Sequence, residues 1–423
     1  MKRLMSSVWT PWLIFALVLL VLPWFFTNNF ALSLLTQIGI VILACLSFNI
    51  LLGQGGMLSF GHAVNTGLGA YVAIHAMNLA SQQVLPIPVM LIPLVGGLGG
   101  MFFAVLFGYV STRKSGTTFA MITLGLSELV FAMSLMLADF FGGEAGIAGN
   151  RVYGQPWLGL TFGPQKQVYY LIAVYVFVCV GLIYAFTQTP LGRILNAVRD
   201  NPERVEFIGY NTQRVRYLAF IVAGFFAGVA GGLAAVNNEI VTAEVVGSMR
   251  SGAYLLFTFL GGTGLFYGSI IGGALLILAY VLFSEITKAW LLYLGLTFLL
   301  MVMYAPGGIA SLIDANWRVI RHGLMRPLLS VYAVLLAAGL LMLFGACSMI
   351  EMVYHLQLQL IPDGTLVFLG MRLQALEPAT WLMCVAALLV GGLIWRPTQQ
   401  RFAERWNAVQ TEIAQREAQG GAA

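Results

Sequence analysis

The chain has 423 residues, of which 60% are hydrophobic and 9% charged, with a mean hydropathy of +0.88. Soluble domains carry about a quarter charged residues, so this composition excludes that class. The net charge of +5 resides in clusters between apolar blocks and is no argument for nucleic acid, and four scattered cysteines (Cys45, Cys179, Cys347, Cys384) indicate neither a disulfide framework nor a metal cluster.

From Leu4 to Thr112 there is no Asp, Glu, Lys or Arg. A bilayer span takes roughly 20 apolar residues, so this run holds about four spans. Solid apolar blocks, rather than short alternating strands, exclude a membrane β-barrel. The first block, Pro11 to Phe26, follows Lys2 and Arg3 like a signal peptide, yet no small-residue cleavage site comes after it. It reads as a retained first span.

Apolar blocks lie near 11–27, 30–52, 58–78, 88–110, 117–137, 168–187, 217–236, 251–265, 268–284, 290–305, 328–346 and 379–395. The stretch 251–284 reads either as two short spans or as a re-entrant segment plus one span. Lys2-Arg3, Arg113-Lys114, Arg193–Arg216, Arg318-Arg321-Arg326 and Arg396-Arg401-Arg405 all fall between blocks. Twelve crossings place every one of these clusters on one side, the cytoplasmic side by the positive-inside rule, with both termini inside. The expected fold is an all-α polytopic membrane protein of about ten core spans plus about two extra C-terminal ones.

Inside the early blocks, Gly53-Gln54-Gly55-Gly56 interrupts an apolar run, and Gly261-Gly262-Thr263-Gly264 does the same late in the chain. Small residues let helices approach closely. Freed backbone at membrane depth is tolerated only where protein or a water-filled cavity satisfies it, so paired interruptions also mark candidate pathway positions. Ser59, His62 and Asn65 are polar groups in the same zone. His62 fits a hydrogen-bonded packing residue or a proton relay. No second His or Cys stands at ligand spacing, so no metal site is expected. Glu128 lies about halfway along its block, where an ionisable group is costly. It fits a pathway residue or a packing acid bonded to Ser, Thr or a backbone carbonyl.

The segment "GRILNAVRDNPERVEFIGYNTQRVR" (Gly192–Arg216) holds eight charged residues of both signs. Asn201-Pro202-Glu203 predicts a helix start, with Asn201 as N-cap, and Gly209 a stop. By composition this is either a solvated cytoplasmic loop or a surface that another protein grips.

Several blocks resemble one family, the branched-chain amino acid ABC transporter permeases of the LivH/LivM type. "TPLGRILNAVRDNPERVEFIGYNTQRVRYLAFIVAGFFAGVAGGLAA" (Thr189–Ala235) resembles the family's cytoplasmic loop and following span, with Gly192, Arg193, Asn196, Ala197, Arg199, Asn201 and Gly209 in place. Arg204-Val205 stands where the family has paired Ala. "NILLGQGGMLSFGHAVNTGLGAYVAI" (Asn49–Ile74) is similar to its early glycine-rich segment, and "GTTFAMITLGLSELVFAMSL" (Gly116–Leu135) to the span bearing a Glu. "TFLGGTGLFYGSIIGGALLI" (Thr258–Ile277) and "MYAPGGIASLI" (Met303–Ile313) complete the core. The layout is most like the LivM-type subunit.

The resemblance implies an importer subunit of a bacterial inner membrane, working with a second, LivH-like permease, two ABC ATPase subunits and a periplasmic solute-binding protein. Residues 188–216 would be the coupling loop, with Gly192, Arg193, Arg199, Asn201, Glu203, Arg204 and Gly209 serving the ATPase contact. Gly53, Gly55, Gly56, Ser59, His62, Asn65, Glu128, Gly261, Gly262 and Gly264 are the pathway or helix-break candidates. No catalytic, cofactor or metal residue is expected in this chain. It lacks a G-x-x-x-x-G-K-[ST] loop, so ATP and Mg would be bound by the partners. The external loop 139–167, with Arg151, would face the binding protein. Arg250 stands where the family often has an acid. The resemblance spans residues 30–313 and implies a permease domain over 1–313; 314–423 is an extension with two spans and a tail whose Phe402, Trp406, Val409 and Ile413 recur at helical spacing. Such a tail suits the membrane surface or the ATPase. The competing reading is an ion-coupled secondary transporter with twelve spans, which wants several intramembrane carboxylates where this chain has Glu128.

Overall fold

The computed structural model describes residues 10–153, 160–357, 365–368 and 371–420. In chain order the helices are α1 (Thr10–Phe25), α2 (Asn29–Asn49), α3 (His62–Ser81), α4 (Ile92–Ser111), α5 (Gly116–Met136) and α6 (Ala138–Phe141). There follow α7 (Gln165–Gln188), α8 (Pro190–Asp200), α9 (Pro202–Phe207), α10 (Thr212–Asn238), α11 (Ser248–Gly261) and α12 (Phe266–Leu278). The last are α13 (Ser284–Ile286), α14 (Trp290–Tyr304), α15 (Gly308–Arg321), α16 (Arg326–Gln357) and α17 (Pro378–Gly420). Two short antiparallel pairs complete the described fold: β1 (Ile147–Ala148) with β2 (Ile240–Val241), and β3 (Thr365–Phe368) with β4 (Met371–Gln374).

Each of the twelve apolar blocks falls on a helix, and the chain is a multi-pass membrane protein. Among the described residues, eight helices are long and apolar enough to cross a bilayer, or nine if α14 and α15 form one bent span. The difference from twelve has two causes. Helices α1, α11 and α14 have 16, 14 and 15 residues, and at 1.5 Å per residue they fall short of the roughly 30 Å hydrocarbon thickness. α3 has 20 residues, but His62, Asn65, His75 and Asn78 dilute its apolarity. It tolerates them because it is buried along most of its length against protein rather than lipid.

The chain divides into two compact units, the first comprising 1–286 and 294–311 and the second 287–293 and 312–423. In the first, α10 packs most extensively against α4 and then α3. Gly224, Gly228 and Gly232, four residues apart on α10, meet Gly96, Gly100 and Ala104 of α4 at backbone distance. Gly69 of α3 completes this junction: a Cβ there would lie 2.5 Å from Gly228 Cα. Van der Waals packing of bare backbones is what holds helices together where lipid removes the hydrophobic drive.

The second unit is built on α16 and α17. Gly345 of α16 and Gly391 of α17 allow their close approach, with Cys384 O and Ala338 O respectively within 3.0 Å of where a Cβ would stand. At 43 residues, α17 is about twice the length a span requires. Its charged half turns its apolar stripe (Phe402, Trp406, Val409, Ile413) onto Val319, Leu324, Met325 and Leu328. The stripe expected to face a membrane or an ATPase is covered by its own chain, because α15 offers a complementary apolar face nearby. At the other end of α16, the buried Glu351 accepts hydrogen bonds from Thr287 and from the Tyr293 hydroxyl at 3.1 Å. His355 Nε2 stands 3.7 Å from its other oxygen.

A Cβ on Gly231 would sit 1.8 Å from Thr66 O. Gly231→Ala is expected to cost about 1–3 kcal/mol by overpacking and to lower the thermal unfolding midpoint of detergent-solubilised protein. Gly295→Ala in α14, with open space around it, is the control and leaves the midpoint unchanged or slightly raised.

Candidate functional site

The two glycine interruptions are true helix breaks, and the fold brings them together. α2 runs on through a π-helical turn, Ile50–Gln54, and stops at Gly56, whose φ is +62°. Gly56 N–H donates to Leu52 O at 3.0 Å and Met57 N–H to Leu51 O at 2.8 Å. A left-handed residue closes the helix as in a Schellman motif, with both bonds one residue wider because the last turn is π-helical. Chain 57–61 then runs without regular structure to the start of α3.

Freed donors along this link are met by side chains from distant helices. Phe60 N–H donates to Thr123 Oγ1 of α5 at 3.1 Å, and Ala63 N–H to Ser251 Oγ of α11 at 3.0 Å. Ser59 is buried, its Oγ 3.4 Å from Gly61 N. His62 is fully buried, shares a 2.8 Å hydrogen bond with Ser47 and stands edge-on to Phe48. Asn65 is equally buried, and its amide makes no hydrogen bond among the described residues.

The second break lies between α11 and α12. Gly262, at φ +114°, reverses the chain so that α12 folds back against α11. Gly261, Gly268 and Gly272 permit that contact: Cβ atoms there would come within 2.1 Å of carbonyl oxygens. The 251–284 stretch is therefore a helical hairpin whose first arm is too short to cross a bilayer. Gly264 is exposed with open space around it. Between the breaks the approach is direct, since a Cβ on Gly53 would stand 2.4 Å from Thr263 O.

Over this junction lies the charged loop. It holds two helices where the sequence indicated one. Thr189 caps α8, accepting from Gly192 N–H at 3.2 Å with Pro190 in the first turn. Asn201 caps α9 as expected, accepting from Arg204 N–H at 3.0 Å, and Gly209 ends the loop's helical run at φ +96°. Gly192 is obligatory for another reason: a Cβ there would be 2.4 Å from Phe186 O.

The proposed coupling residues separate into two groups. Arg199, though partly exposed, reaches inward through Nη1, which donates to Gly53 O, while its Nε pairs with the exposed Asp200 at 3.0 Å. Asn196 joins it, donating to Gln54 Oε1 at 2.8 Å, and Leu195 Cδ1 is 3.2 Å from where a Gly55 Cβ would stand. Arg193, Glu203 and Arg204 are exposed. Sequence reading missed the most exposed feature, an apolar tip: Phe207 is 90% and Ile208 70% exposed, with Tyr210 beside them. The signal for the tip was an F-I-G-Y run inside a charged segment. The signal for the inward face was Asn196 and Arg199, one helical turn apart.

Glu128 and Arg250 are charged side chains that make no ion pair among the described residues. Glu128, midway along α5, is exposed and makes no hydrogen bond or ion pair among the described residues. Among the described residues no Ser, Thr or carbonyl partner of the packing alternative bonds it. Arg250, in the first turn of α11, is exposed and donates through Nε to Tyr254 at 3.3 Å. Their elements touch: Ser127 of α5 donates to Val246 O, just before α11, at 3.2 Å. A lone charge facing hydrocarbon is costly.

Arg151 is the reverse case. It is buried, with all five guanidinium donors used: Nε to Phe162 O, Nη1 to Val236 O and Asn237 O, Nη2 to Gly163 O and Gln165 Oε1, at 2.9–3.4 Å. Its backbone N–H donates to Glu239 at 2.8 Å. It closes the α6–α7 loop onto the end of α10 and has no donor left for a partner.

The family described as branched-chain amino acid transport system / permease component matches residues 30–305. The high-affinity branched-chain amino acid permease protein LivM of Escherichia coli K12 is 26% identical over 329 residues, covering 72% of this chain and 76% of that one. A probable LivH of Methanocaldococcus jannaschii is 25% identical over 60% of this chain and 82% of its own. The BraD permease protein of Pseudomonas aeruginosa is 22% identical over 55% and 78%. No solved structure matches.

Replacing Arg151 by Met leaves several buried carbonyls unpaired, at about 1–3 kcal/mol each. Arg151→Met is expected to expose the 160–165 segment to limited proteolysis well below the temperature at which the helices unfold.

Proposed function

The chain belongs to the branched-chain amino acid transport permease family, and from that premise we propose that it is a membrane-spanning subunit of an ATP-driven importer. In this reading the α8–α9 loop docks on an ABC ATPase, and a second permease subunit completes the assembly. A binding protein delivers amino acids of the branched-chain type, or related small polar solutes, from outside. The chain resides in a bacterial inner membrane with both termini in the cytoplasm. It makes no covalent chemistry of its own, and ATP and Mg are bound by the partners.

One observation carries the ATP-driven part. The α8–α9 loop presents Phe207 and Ile208 outward, while its inner face grips a helix break. Apolar side chains so exposed, outside any span and on a segment that also exposes Arg193, Glu203, Arg204 and Arg214, have the composition of an interface anchor with a charged rim. The anchor supplies affinity; the rim fixes register. An ion-coupled transporter needs no such tip. The unpaired charges of α5 and α11 suit the second permease subunit, with the solute path running between the two chains.

The test uses native membranes containing the co-encoded ATPase. Single cysteines at Phe207 and Ile208 are expected to crosslink to it, with a yield that changes on adding ATP. Phe207→Ser with Ile208→Ser is expected to reduce ATPase copurification at least tenfold, about 1.4 kcal/mol. Arg193→Gln is expected to have a smaller, salt-dependent effect. Unchanged copurification of the serine variant would return the loop to a solvated one.

A further inference from the structure

We propose that Arg199 is the positioning residue that carries movement of the α8–α9 loop into both helix breaks at once. This rests on the importer reading above, and it gives Arg199 a role opposite to an ATPase contact.

Four contacts support it. Arg199 Nη1 donates to Gly53 O, a carbonyl at the end of the α2 helical run. Such terminal carbonyls lack intrahelical partners and carry the negative end of the helix dipole, so a guanidinium is well matched to them. The methylene stem of Arg199 runs along Gly56, where a Cβ would lie 2.7 Å from Arg199 Cγ. Beside it, Asn196 and Gln54 form a second bond between the same two elements. Gly53 is also the residue that touches Thr263 of the α11–α12 turn.

The path from α8 to the second break is thus Arg199, Gly53, Thr263, each in contact with the next. Gly53 and Gly56 have no side chains that could absorb a displacement by changing rotamer. A shift of α8 therefore moves the end of α2 and the α11–α12 turn together. α3 begins just beyond the first break and α11 ends at the second, and the Ala63–Ser251 bond ties the start of α3 to the first turn of α11, so one input reaches both helices.

The experiment measures spin-label distances in the full permease–ATPase complex. Labels go on Gly264→Cys, in the second break, and Val84→Cys, in the exposed loop beyond α3, in a Cys347→Ser background. The other native cysteines are buried. With Arg199 intact, adding ATP is expected to change the distance by about 2 Å or more, the scale of switching helix shifts. Arg199→Met keeps the stem and removes the donors. It is expected to abolish that change while the ATPase stays bound and hydrolyses ATP, and Arg199→Lys to restore part of it. If the methionine variant does not assemble, Arg199→Gln is read in its place.

A full distance change in the variant would overturn the proposal, as would no change with Arg199 intact in a complex that hydrolyses ATP. Failure of the ATPase to bind the unaltered chain would instead overturn the importer reading. The two failures are separable in one set of samples.

Discussion

A backbone N–H or C=O left unpaired at membrane depth costs several kcal/mol, and the structure around the helix breaks is organised by that constraint. Continuous helices meet it internally. The two breaks cannot, and at the first several freed groups are answered by something specific: a left-handed glycine at Gly56, Thr123 and Ser251 side chains for the link and the start of α3, and Arg199 for the Gly53 carbonyl. These partners come from α5, α11 and α8, so satisfying the break ties four parts of the chain to one point. Structural necessity and mechanical connection are here the same set of bonds.

Much of this was legible from local chemistry. Asn201, Pro202 and Gly209 announce a short capped helix because capping depends on neighbours in sequence, and the interruptions at Gly53–Gly56 and Gly261–Gly264 are visible because glycine clusters are out of place in an apolar run. That the two interruptions touch was not legible, since a glycine gives no side-chain pattern from which a partner can be inferred. Arg151 illustrates a different limit. Position in a polar loop suggested an outward role, but five carbonyls presented by the folded loop and the end of α10 drew it inward. The α17 stripe shows the same limit: helical spacing reveals an apolar face and leaves open what covers it. The α8 helix and the Phe207–Ile208 tip were missed because the segment was read for its charge.

The first unit combines two kinds of contact. Where α3, α4 and α10 cross, backbone meets backbone through glycines with no intervening side chains, a contact that offers no alternative packing. The breaks are packed as closely through Gly261, Gly268 and Gly272, and differ in being tied by single hydrogen bonds to side chains of distant helices. The unpaired Glu128 and the exposed Arg250 lie on elements beside the breaks rather than beside the glycine junction.

The inward-turned Arg151 has a consequence for the medium in which the α6–α7 loop holds its shape. Its charge is neutralised by carbonyl dipoles and a side-chain amide, with no ion pair among the described residues. Surface ion pairs weaken as dissolved salt screens them; buried dipoles are shielded from that screening. A guanidinium also keeps its proton at any biological acidity. The guanidinium's share of the loop's anchorage should therefore hold unchanged across a wide range of dissolved salt.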